Sequence, residues 1–139
     1  AEALARAFAE CDAFVLPAVV DRKGDTEGLG VVLLEALGYG KPVVASAAGG
    51  IVDVIRHEQT GLLVPPGDAG ALAAAIERLA ADSELGRELG RGGRAHLERE
   101  FSWPVILDRL VGLYRRLTGV ADVASADTGT GEQSWNAGH

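Results

Sequence analysis

Apolar positions along the chain follow two periods, and these divide it into alternating elements. Residues 2–10 place Leu4, Ala7 and Phe8 on one side of a predicted helix. Ala13, Phe14, Val15 and Leu16 form a short continuous apolar run stopped by Pro17, the pattern of a strand buried on both faces. Residues 18–28 carry Asp21, Arg22, Lys23, Gly24, Asp25 and Thr26 and read as a loop. A helix is predicted over 29–39, ended by Gly40, where a left-handed residue costs glycine least. Residues 42–45 read as the second strand, 46–50 as its exit loop, 51–57 as a short helix and 61–64 as the third strand. Asp68 is the predicted N-cap of a helix over 69–81, in which Leu72, Ala75, Ile76 and Leu79 fall at helical spacing. Asp82 opens a helix reaching about residue 100, whose Arg and Gly content predicts solvent exposure and low intrinsic stability. Ser102 is the next predicted N-cap, with the last helix over 103–117, Pro104 in its first turn and Trp103 packing it against the sheet.

Helices alternating with buried strands predict an α/β fold with a parallel sheet and right-handed crossovers. Only three strands are visible, and so narrow a sheet should want a neighbour on at least one edge. Methionine is absent from the 139 residues. Both features favour an excerpt of a longer chain. Residues 1–118 are expected to form one partial domain, followed by a disordered tail over 119–139, where the sequence turns to Ala, Asp, Ser, Thr and Gly.

Composition narrows the function classes. The formal net charge of -7 argues against a nucleic-acid partner, which needs clustered Lys and Arg, and against a broad basic face for anionic membranes. The single cysteine, Cys11, excludes an internal disulfide framework and a multi-cysteine zinc site; it reads as a small buried core residue. There is no apolar run long enough to span a bilayer and no basic-then-apolar leader, so cytoplasmic residence fits best.

Ligands of open α/β sheets bind outside the carboxyl ends of the strands. There the stretch 27–35 combines a helix start with two carboxylates. The first-turn amides of that helix and its dipole favour an anion, and Gly28 and Gly30 let a diphosphate approach closely. Glu27 sits just before those amides. Glu35 lies near 9 Å further along the axis from Leu29, at roughly 1.5 Å per residue, and its side chain leans back over Val31 and Val32. Carboxylates on both sides of an anion patch match the ribose, diphosphate and sugar of a nucleotide-sugar. Two Glu eight apart are, taken alone, equally a helix start that suits its dipole. Gly49 and Gly50 either line the donor pocket or serve a tight turn. His57 reads as a surface or capping residue, His96 as solvated, and Arg22 and Lys23 as loop charges.

The runs EGLGVVLLEALGYGKPVVASAAGGIVDVI, TGLLVPPGD and REFSW before a helix resemble the donor domain of GT-B glycosyltransferases. The similarity is to the retaining "glycosyl transferases group 1" type (family four), with its polysaccharide, mannosyl and sucrose-related transferases, and covers roughly residues 3–117. It implies a Rossmann-like sheet forming the C-terminal part of a GT-B donor domain. It implies that Glu27 acts near the reacting centre as the catalytic residue, that Glu35 binds the ribose hydroxyls, and that the backbone of Gly28, Leu29, Gly30, Val31 and Val32 meets sugar and diphosphate. It implies no metal and no cofactor beyond the nucleotide-sugar substrate, retention of anomeric configuration, and an Arg and a Lys upstream of residue 1. The acceptor, whether glycan, lipid or small molecule, would be held by an N-terminal domain, as would any peripheral membrane contact. The chain by itself is then not expected to be active. Two alternatives stand beside this one: a non-catalytic nucleotide-sugar-binding module or subunit, and another GT-B enzyme such as a nucleotide-sugar epimerase.

Overall fold

The computed structural model describes residues 2–19 and 30–119. In chain order the described elements are α1 (Glu2–Glu10), β1 (Phe14–Leu16), α2 (Gly30–Gly38), β2 (Val43–Ser46), α3 (Ile51–Val54), β3 (Leu62–Val64), α4 (Ala69–Ala81), α5 (Ser83–Glu100) and α6 (Trp103–Thr118). The three strands form one parallel sheet in the order β1-β2-β3, with Phe14 opposite Val43 and Val44 opposite Leu62. The expected α/β class and parallel sheet are therefore present.

Strand pleating sends alternate side chains to opposite faces, and both faces of β2 are buried. Val43 and Ala45 join Leu33, Ala36 and Leu37 of α2 and Ile51 and Val54 of α3 on one side. Val44 joins Leu62 and Val64 of β3 on the other, under Leu72, Ala75 and Leu79 of α4. That two-sided burial is why the strands read as unbroken apolar runs. β1 and β3 are the edge strands among the described residues.

α5 ties the two layers together, contributing Leu97 to the first cluster and Leu89 to the second. Its expected solvent exposure holds for the arginines and fails for the glycines: Gly90 and Gly93 are buried. Glycine composition lowers helix propensity, but here it creates a flat strip on which backbone can rest. His96 is buried in the same strip, not solvated. Asp82 caps α5 as expected, its carboxylate accepting from Glu84 and Leu85 amides. Asp68 likewise accepts from the Ala71 amide at the start of α4.

Other expectations need correction. Trp103 is 73% exposed and does not pack α6 on the sheet. The apolar side of α6, with Leu107, Leu110, Tyr114 and Leu117, faces outward. The helix expected over 51–57 ends at Val54, because Ile55 is extended and caps it. Cys11 is only half-buried and donates its thiol to the Phe8 carbonyl. Gly40 does adopt the left-handed conformation, at φ 66°. Residues 120–139, most of the expected tail, lie outside the described residues, as do Arg22, Lys23 and His139.

Candidate donor site at the carboxyl edge of the sheet

In a parallel sheet each helix that leads to the next strand runs back along it, so its N-terminus lies at the carboxyl edge. α2, α3 and α4 begin there, after β1, β2 and β3 respectively. α2 is fixed by Leu33, Ala36 and Leu37, each 0% exposed. Val32 and Leu34 pack partly against the same cluster. Val31, by contrast, is 67% exposed one residue into the helix. Glu35 is the sole charged residue of α2, and its side chain is exposed while its neighbours Leu34 and Ala36 turn inward. A carboxylate on so apolar a helix contributes nothing to the core, and among the described residues no hydrogen bond or ion pair engages it.

Of the residues expected at the site, Gly30, Val31, Val32 and Glu35 lie on the first turns of α2. Glu27, Gly28 and Leu29 fall outside the described residues. The loop after β2 is tight: the Ala48 amide donates to the Ser46 carbonyl at 2.8 Å and the Ile51 amide to Ala48 at 3.1 Å. Gly49 has φ 50°, a backbone conformation that accounts for glycine there. Gly50 needs no such allowance; a Cβ added to it would meet nothing within 4 Å. The Ala47 amide donates to the Val64 carbonyl at 2.8 Å, so this loop and the end of β3 are held together.

The turn between α3 and β3 is fastened from several sides. The His57 Nδ1 accepts from the Leu63 amide at 3.0 Å, and the Thr60 Oγ1 accepts from the Arg56 amide at 2.8 Å. Glu58 accepts from Arg78 of α4 at 2.6 Å, and that guanidinium holds its carboxyl below the ordinary carboxylate range. These residues fasten the amino end of β3, and only the Glu58–Arg78 pair joins partners far apart in sequence.

A cavity of about 660 Å³ lies at the opposite, amino edge, lined by Asp12, Lys41, Pro42, Leu79 and Arg87 among others. Lys41 is engaged there, donating to the Ala9 carbonyl at 2.9 Å. Being at the far end of the strands, this cavity has no part in the α2 site. Among the described residues no group of His, Cys, Asp and Glu could hold a metal ion, and no helix is long and apolar enough to cross a membrane.

The fold is shared with known proteins. The family model for glycosyl transferases group 1 matches residues 1–96. The amylovoran biosynthesis glycosyltransferase AmsK of Erwinia amylovora is 38% identical over 116 residues, 84% of this chain and 28% of its own length. The sucrose-phosphate synthase of Thermosynechococcus elongatus superposes with a TM-score of 0.71 at 40% identity, over 86% of this chain and 29% of the synthase. Anabaena HepE, solved in complex with UDP-glucose, superposes with a TM-score of 0.69 at 26% identity, over 81% of this chain and 30% of HepE. The chain thus spans less than a third of the length of these relatives.

Proposed function

The chain belongs to the glycosyl transferases of group 1, and from that premise we propose that it supplies part of the donor site of a retaining glycosyltransferase that moves a sugar from a nucleotide-sugar. The observation that carries the proposal is the start of α2: an exposed carboxylate, Glu35, on an otherwise apolar helix whose first turn lies at the carboxyl edge of the sheet. HepE is described with UDP-glucose, which supports a nucleotide-sugar as the ligand class here. UDP-, GDP- and ADP-sugars are all admitted, since nothing described on this edge reads the base.

The chemistry is heterolysis of the bond between the anomeric carbon and the diphosphate, with negative charge building on the leaving group. Groups already aimed at that charge lower the barrier most. The amides at the start of α2 are such groups, helped by the positive end of the helix dipole. Gly28, Leu29, Gly30, Val31 and Val32 would offer backbone to diphosphate and sugar, with Gly49 and Gly50 beside them. Glu35 would accept from the ribose hydroxyls, and Glu27 would act on the donor sugar near the reacting carbon. No metal or cofactor is needed in this scheme. Complementary cationic groups and the acceptor-binding domain would come from polypeptide upstream of residue 1, so the chain alone would not turn over.

The roles of the two carboxylates separate in kinetics. In the full-length enzyme Glu27→Ala should lower kcat by at least tenfold while leaving donor KM within a few-fold, since it removes an interaction realised chiefly at the reacting centre. Unchanged turnover in Glu27→Ala would remove the assignment.

A further inference from the structure

α5 lies along the segment joining α3 to β3, and the contact leaves no room for side chains. A Cβ on Gly92 would sit 2.2 Å from the Gln59 carbonyl oxygen, and one on Gly93 would sit 3.1 Å from that of Thr60. One turn further along α5, His96 occupies the same seam at 2% exposure. Neither of its ring nitrogens has a hydrogen-bond partner. The ring meets Phe101 edge-on, with centroids 5.5 Å apart. An apolar residue of similar size would fill the place without stranding two polar atoms, so the imidazole is a liability to packing.

The charged groups around it make a proton harder to accept. Arg56, from the segment after α3, and Arg99 of α5 oppose a positive ring. Glu100 favours one, but its carboxylate is already paired with Arg109 of α6. The Val54 backbone also favours a proton, yet no hydrogen bond to the ring closes. Burial is the largest influence, and it moves the ring below the ordinary value of 6.5.

We propose that His96 is a proton-operated release for this seam: a proton on its ring parts α5 from the segment 54–60, because only an opened seam lets the charged imidazole reach water. A folded-state value below the unfolded one means that the seam keeps its strength above pH 6.5 and loses it progressively as pH falls beneath that value. Gly50 caps the start of α3 on the carboxyl edge, so release would also loosen the loop beside the donor site; that consequence alone rests on the donor reading.

The test follows the seam itself and not the activity. Proton NMR titration of the full chain should find the His96 ring titrating below the ordinary histidine value of 6.5. Amide hydrogen exchange should show protection of residues 54–60 and 92–97, corrected for intrinsic rates, falling at least tenfold from pH 7.5 to 5.5. His96→Phe, which keeps an aromatic ring in the seam, should abolish that fall. Equal loss of protection in His96→Phe, or a His96 ring that titrates at 6.5 or above, would overturn the proposal. Should the variant fail to fold, the titration of the parent chain decides.

Discussion

Glu58 stands in the left-handed region at φ 61°, among the described residues the only non-glycine to do so. A side chain there crowds the following carbonyl, and glycine would not. Its ion pair with Arg78 is exposed at both ends, and such pairs contribute little. Glu58→Gly should therefore melt at least as high as the parent chain, and a few degrees above Glu58→Ala, which loses the pair and keeps the crowding. Equal melting of the two variants would show that the turn is not strained. Spacing could flag neither Glu58 nor His96. The sequence places them correctly on a turn and a helix, but strain and burial depend on what packs across from them.

At the scale of elements the strands were legible almost to the residue, because β2 has both faces in the core and its run VVAS has no polar interruption before Ser46. Helix starts were legible through Asp68 and Asp82, whose carboxylates do cap. What sequence could not convey was which side of a helix faces inward. In α5 glycine marks the contact: a Cβ on Gly90 would lie 2.1 Å from the Gly40 carbonyl oxygen. Gly90→Ala should destabilise by up to about 2 kcal/mol, since forced repacking of about 1–3 kcal/mol is only partly offset by the roughly 1 kcal/mol that alanine adds to a helix. Gly112 of α6 is the control, with nothing within 4 Å of an added Cβ. Gly112→Ala should stabilise by about 0.5–1 kcal/mol. Urea unfolding of both variants checks the pair, and a shift of the same sign in both would contradict the packing argument. Acid sensitivity divides in the same way. Glu58, Glu84 and Glu100 are lowered by arginine partners, so what they contribute is present above about 4.5 and lost below it, whereas His96 acts in a higher window. A stability profile should thus show a first loss beneath pH 6.5 that disappears in His96→Phe, and a second, shallow loss beneath 4.5 that remains.

For the whole molecule, three parallel strands bring the starts of α2, α3 and α4 to one edge, while the 660 Å³ cavity lies at the other. The proposed donor placement follows from the topology and not from cavity size. Half of the candidate site was readable from residues alone: a glycine-softened helix start with a carboxylate one and a half turns inside. Its meaning depended on the surrounding text, and its first part, Glu27 to Leu29, lies outside the described residues. Glu35 is proposed to hold the donor through its carboxylate. Titration calorimetry of the full-length enzyme with UDP-, GDP- and ADP-sugars, repeated with Glu35→Gln, tests it most directly. At least one donor should bind, and Glu35→Gln should weaken that donor about 10- to 150-fold, the worth of a hydrogen bond to a charged group at about 1.5–3 kcal/mol. Undiminished affinity in Glu35→Gln, or no binding of any nucleotide-sugar by the parent enzyme, would contradict the account.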